Sequence, residues 1–376
     1  MRIASLGRRV IPASLQPVAA RIWRATRAGW SGGVERLTTG SRVGRGLYYG
    51  VASDAFLREH RAVAAGRAAY RAAMRTHRRS SYLLRRNVHR LEKGLIMADR
   101  RRVFALDFIG ETVAEFEAVA AAFPAGAAPS AELRWAHDVL RAYFEATDPA
   151  HPLLAALRAR YEAAARAVPA ADPQTPASAP FRRDLSNAPV SIAALTALAR
   201  RRRSVRHYEA RPVPREIVDQ ALAVAAQSPS ACNRQAFRFA IFDDPALAPQ
   251  VAAVPAGTKT FYRDVPAVAV LVGRLRAYPR ERDRHAIYVD ASLAAMGFIY
   301  GLECQGVASC AINWADEEPA ESRIAHMLGL APDERVIVMI SFGWPDREAQ
   351  VPYSAKRELD EFRAYNPAIR SAEAGA

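Results

Sequence analysis

Arg201-Arg202-Arg203-Ser204-Val205-Arg206-His207-Tyr208, with Arg211-Pro212-Val213-Pro214 just beyond it, is the stretch from which the rest of the chain can be read. Arginine side chains present planar forks of N–H donors that match phosphate oxygens, and the Ser204 hydroxyl adds another donor, so the run fits a grip on a dianionic phosphate at a helix end. It equally fits a plain helix C-terminus, where cations interact favourably with the helix dipole. Alone, the run leaves both readings open.

The next informative segment is Ser228-Pro229-Ser230-Ala231-Cys232-Asn233-Arg234-Gln235-Ala236-Phe237, between a predicted helix at 214–227 and a predicted strand at 237–242. Small residues let backbone amides approach a planar ligand, and Asn233 and Gln235 offer both donors and acceptors to the edge of a heterocycle. In isolation this is a polar loop.

Together the two segments, in this order and at this spacing, resemble the opening of the nitroreductase family, whose pattern runs RRSxRxF, then PVP, then APSxxNxQPW. Tyr208 stands where Phe is usual, and Ala236-Phe237 where Pro-Trp is usual. Downstream, the segment from Asp290 through Leu302 and then Gly306 to Asn313 resembles the family's long central helix and the strand after it. Phe342-Gly343-Trp344-Pro345 and Lys356-Arg357-Glu358-Leu359 resemble its GYP and (K/R)RxPL elements.

The resemblance implies an α+β, nitroreductase-like fold in which a central mixed β-sheet is flanked by helices, and a flavin mononucleotide (FMN) cofactor. By the same resemblance, Arg202, Arg203, Ser204 and Arg206 hold FMN, the first members on its phosphate and Arg206 nearer the ring carbonyls. Lys356 or Arg357 closes the phosphate site. Pro229, Ser230, Ala231 and Asn233 lie against the isoalloxazine, donated by the other subunit of a homodimer with FMN at its interface, and Ala311, Ile312 and Asn313 supply backbone contacts. The implied activity is an oxidoreductase that takes hydride from NADH or NADPH at flavin N5 and passes it to a small organic acceptor. A fixed cation such as Arg206 offsets the charge that builds over N1 and the C2 carbonyl. Orientation and cofactor supply most of this chemistry, so no side chain is named as catalytic.

Outside these motifs the chain reads as five segments: a basic stretch at 1–53, an all-helical region at 54–167, a Pro/Ala-rich linker at 168–188, the nitroreductase-like domain at 189–366 and a tail at 367–376. Helical patterns are predicted within 54–97, with Asp54 as N-cap, and at 108–122, 131–146 and 151–167, the last two opened by Ser130 and Pro152. In the C-terminal half, helices near 190–202, 214–227, 284–304 and 318–328 alternate with apolar strands at 237–242, 267–273, 308–313 and 335–342. No internal repeat is present.

The formal charge of +15 is unevenly placed: residues 1–190 hold 30 basic and 16 acidic side chains, whereas residues 191–376 hold 23 and 22. Residues 1–102, with 23 basic and 5 acidic, therefore fit an anionic polymer or membrane surface, or a solvated face in an Arg-rich composition with Lys only at 93, 259 and 356. This leaves, beside the enzyme, a second reading: a flavin-binding module without turnover whose basic half docks on such a surface. No recognised nucleic-acid motif is present, so that partner is not expected. The acid-free segment 1–34 fits a transit peptide, a surface helix or an untargeted N-terminus. Cys232, Cys304 and Cys310 form neither a disulfide framework nor a zinc cluster, which points to a reducing, cytoplasmic setting and no metal. Cys232, Cys310 and His207 are read as packing residues. Finally, His89, Glu92 and Lys93 in the run 85–95 (RRNVHRLEKGL) share a helix face, either to line a site or as a charged surface with an internal ion pair.

Overall fold

The run Ala267–Arg274 (AVAVLVGR) is apolar at every position up to Gly273 because both of its faces are covered. Ala267, Ala269 and Leu271 point into one core, with the Arg215–Ala226 and Ala286–Cys304 helices. Val268, Val270 and Val272 point into another, with Val251, Phe261, Ile324 and Met339. A strand alternates its side chains between faces, so a two-sided core erases the usual polar alternation. In the computed structural model this strand, β2, pairs antiparallel with β1 (Phe237–Phe242). The strand β3 (Ala308–Asn313) pairs antiparallel with β4 (Glu334–Gly343), and the sheet order is β1-β2-β4-β3. The architecture is α+β, a four-stranded sheet with helices packed on it. A parallel component, as expected of a mixed sheet, is present in the bridge between Ser204 and Ser309 at the β3 side.

The structure describes residues 38–53, 55–76, 81–123, 129–169, 175–186 and 188–368. The expected N-cap at Asp54, the 1–34 segment, residues 170–174 of the expected linker and the end of the tail lie outside them.

These residues form two compact units. One holds 38–76 with 275–284 and 331–335; the other holds 81–274, 285–330 and 336–368. The grouping does not follow the linear segments: the helices between 82 and 165 share a unit with the sheet. In the first unit the Leu57–Thr76 helix carries ion pairs from Arg67 to Glu281 and from Glu59 to Arg284, and Arg276 holds Asp333 at 2.7 Å.

In the second unit Leu84, Val88, Leu91 and Leu95 recur at helical spacing along the Tyr82–Leu95 helix and are buried against Ile109, Val113, Phe116, Leu140 and Tyr143. Ser81 and Ser130 accept from Leu84 N and Leu133 N at their helix starts, and Pro152 occupies the first turn of the Pro152–Ala165 helix. In the C-terminal half the Ala286–Cys304 helix packs on Arg215–Ala226 so closely that a Cβ on Gly301 would lie 2.7 Å from Ala221 Cα. The long apolar run of Ala286–Cys304 is thereby explained by burial: Ile287, Ala291, Ala294, Phe298 and Leu302 all lie inside.

Candidate active site

The Ile192–Arg201 helix opens on Ser191, whose side chain accepts from Ala194 N, and ends where Arg202 leaves helical geometry at ψ 124°. The chain then runs alongside the sheet, with Val205 N donating to Ser309 O at 3.1 Å. Tyr208 fixes it there. Its hydroxyl donates to Val205 O at 2.7 Å and lies 2.9 Å from Ser341 Oγ, and burial pushes its pKa well above the ordinary tyrosine value. The departure from Phe at this position thus adds a buried polar anchor between the Arg-rich segment and β4.

The PVP and FGWP motifs meet next to it. Trp344 Nε1 donates to Pro212 O at 3.1 Å, and the Arg211 guanidinium stacks 3.9 Å from the Trp344 ring. Gly343 is required by close approach: a Cβ there would lie 2.5 Å from Pro266 Cγ and 3.0 Å from the Tyr208 ring.

The arginines diverge after the helix. Arg203 lines an open cavity of about 800 Å³ together with Arg200 and Lys356, against an apolar wall of Ile192, Leu195, Tyr300 and Tyr353. Arg203 Nη1 also reaches Tyr353 O at 3.4 Å. Arg202 is not among the residues that line this cavity; its charge favours the ionised forms of the Glu303 carboxyl and the Cys310 thiol. Arg202, Ser204 and Arg206 all favour the Cys310 thiolate, yet burial outweighs them and pushes the thiol pKa up. Cys310 is 3% exposed, which fits a packing residue. Arg206 is exposed, with its guanidinium 6.0 Å from the Phe261 ring.

Of the two C-terminal cations, Lys356 lies on the cavity. Arg357 turns to Glu361 at 3.8 Å and over Phe362 at 5.8 Å. Arg200 joins the cavity although the sequence reading did not single it out. On β3, Ala311 and Asn313 are exposed while Ile312 is buried, as the pleat dictates.

The 228–235 loop is tightly held. Ala231 N donates to both oxygens of the buried Asp290, at 3.1 and 3.0 Å, and Gln235 N donates to Ser230 Oγ at 3.0 Å. Cys232, Asn233 and Gln235 have φ of 52°, 50° and 49°, a left-handed conformation uncommon outside glycine. Arg85, from the 85–95 run, donates to Asn233 O at 2.9 Å and to Gln235 Oε1 at 3.0 Å. Neither Asp290 nor Arg85 was identified from sequence. Asp290 had a visible signal, as the single acid in the first turns of an apolar helix (AIYVDASLAAM); Arg85 was one arginine among many.

Residues 199–344, which span the Arg-rich segment, the loop and all four strands, match the family model described as the nitroreductase family. The chain carries a nitroreductase-family domain. Among curated relatives, the iodotyrosine deiodinase of Nematostella vectensis is 20% identical over 189 residues, covering 43% of this chain and 71% of the deiodinase. Iodotyrosine deiodinase 1 of Rattus norvegicus is 19% identical over 192 residues, covering 44% and 66%. Among solved structures, an FMN-dependent nitroreductase from Clostridium difficile R20291 is 22% identical with a TM-score of 0.39, covering 46% of this chain and 98% of its own. A nitroreductase family protein from Streptococcus pneumoniae TIGR4 is 19% identical with a TM-score of 0.40, covering 46% and 99%.

Proposed function

We propose that this protein is an FMN-dependent oxidoreductase that transfers hydride from NADH or NADPH, by way of flavin N5, to a small organic acceptor. The observation that carries the reading is the convergence of Arg200, Arg203 and Lys356 on one cavity with an aromatic and aliphatic wall. Three cations suit a dianionic phosphate, and the apolar wall suits the body of a nucleotide-like ligand. The donor set therefore fits FMN. Bound FMN supplies the hydride-accepting centre; the protein supplies position and charge. Arg203 and Lys356 hold the phosphate, while Ser204, bridged to β3, fixes the turn that presents Arg203. Arg206, exposed beyond that turn, is the cation available to the electron-rich edge of the ring. Pro229, Ser230, Ala231 and Asn233 belong to the loop that lies against the ring plane, given by the second subunit of a homodimer.

The test is visible absorption of the purified protein before and after anaerobic NADH or NADPH. A flavin spectrum that bleaches supports the reading. A coloured protein indifferent to both nicotinamides favours the non-catalytic flavin module, and a colourless protein that takes up no added FMN overturns the proposal. Replacing Arg203 and Lys356 together by Ala should release the cofactor; retention would overturn the phosphate assignment to this cavity. Similarity to iodotyrosine deiodinases favours including halogenated phenols in the acceptor screen, with halide release as the readout.

A further inference from the structure

The 85–95 run makes a chain of contacts from the helical region to the 228–235 loop. Glu92 sits at its base: Oε1 accepts from Trp135 Nε1 at 2.9 Å, while Oε2 lies 3.3 Å from His89 Nδ1. The fixed Trp135 ring lies 5.5 Å from the Arg85 guanidinium. Glu132, one turn before Trp135, pairs with Arg85 Nη1 at 2.9 Å, and both side chains are largely buried. With Nη1 on Glu132, Arg85 has Nε and Nη2 left to address the loop, and they reach Asn233 O and Gln235 Oε1. All three nitrogens of one planar fork are thus used on partners from two elements, a geometry that a lysine cannot reproduce.

The loop needs such a hold. Three non-glycine residues at positive φ within four positions cost free energy, and conformations of this kind persist only where the surroundings over-determine them. Asp290 fixes the loop at Ala231; Arg85 fixes it at Asn233 and Gln235.

We propose that Arg85, held by Glu132 and Trp135, is a positioning residue that locks the 230–235 loop in its left-handed conformation and so makes the helical region a working part of the flavin site. The lock itself follows from the contacts above; its effect on flavin rests on the reading of this loop as the wall of the FMN site. The charged run at 85–95 then serves neither as a bare solvated face nor as a separate site: His89 and Glu92 brace the tryptophan against which the locking arginine lies.

The experiment compares full-length wild type, Arg85→Ala, Arg85→Lys and Gln235→Ala by amide hydrogen exchange, with added FMN titrated by fluorescence in parallel. In Arg85→Ala, peptides covering 229–236 should exchange about tenfold to a hundredfold faster, with those covering 267–274 unchanged, the size expected when two charge-assisted hydrogen bonds to the loop are lost. Lysine should fail to restore protection. Gln235→Ala, which removes the Oε1 acceptor of Arg85 together with the Nε2 donor to Ala226 O and leaves Arg85 in place, should give a few-fold effect in the same peptides. This variant decides the matter if Arg85→Ala loosens the whole domain. FMN should bind about tenfold to a hundredfold more weakly to Arg85→Ala than to wild type, by the same reasoning. Unchanged loop exchange in both variants, or full rescue by lysine, would overturn the lock. Faster exchange with unchanged FMN affinity would overturn its coupling to the cofactor. A wild type that takes up no FMN would instead defeat the flavin reading, and the exchange data would still decide the lock.

Discussion

At the scale of single residues, what matters is which arginine turns where. Arg200 and Arg203, three positions apart, line the cavity, whereas Arg201 pairs with Glu303 at 3.4 Å. Replacing Arg203 or Lys356 by Ala should therefore weaken FMN binding about tenfold to a hundredfold each, the range for a charge-assisted hydrogen bond, while Arg357→Ala should leave it nearly unchanged. Titration of apoprotein with FMN separates the two. Glu303 gives a pH-dependent prediction. Its side chain is 8% exposed, and burial raises its pKa against the opposing pull of Arg201 and Arg202. The folded state thus binds this proton more tightly than the unfolded state, so the contribution of Glu303 to stability declines as pH rises from the unfolded pKa through the folded one. Glu303→Gln removes that titration. Its melting temperature relative to wild type should be higher at pH 7 than at pH 4, and a difference independent of pH would refute the assignment.

At the scale of elements, the contact between the Arg215–Ala226 and Ala286–Cys304 helices sets how near the loop comes to Asp290. Ala221 and Ala225 face Gly301 and Gly297, and no larger residue fits at that crossing. Gly301→Ala should cost about 1–3 kcal/mol, because the obstacle is backbone and overpacking cannot be relieved by a rotamer change. Thermal melts check this. The helix boundaries themselves were legible: expected helices near 190–202 and 214–227 appear as Ile192–Arg201 and Arg215–Ala226, and the strands expected at 237–242 and 308–313 appear as Phe237–Phe242 and Ala308–Asn313. Turn residues and apolar periodicity carried these limits locally. The long pattern expected within 54–97 is two helices, Leu57–Thr76 and Tyr82–Leu95, the second opened by the Ser81 cap.

At the scale of the whole molecule, the Ile192–Arg201 helix has no buried residue, and Ile192 and Tyr353 are 79% and 82% exposed. Apolar side chains bared beside the cavity argue for the proposed homodimer. Light scattering should give twice the 41.1 kDa chain mass, and Ile192→Glu should shift the protein toward monomer with loss of FMN. A monomeric wild type that retains FMN would refute an interfacial site.

The sequence alone determined the family-level fold and the order of its motifs, because RRRSVRHY, PVP, the SPSACNRQ loop and FGWP are local signatures whose backbone and side-chain chemistry repeats wherever such a site is built. It also marked the alternation of helices and strands, which short-range periodicity encodes. Only the tertiary structure decided which cations share a cavity, since a one-residue shift at a helix end rotates a side chain to another face. The same holds for Asp290 beneath Ala231 and for Arg85, which reaches the loop from 148 residues away in the chain. Contacts of that span depend on how elements pack, and no local pattern in a single sequence records them.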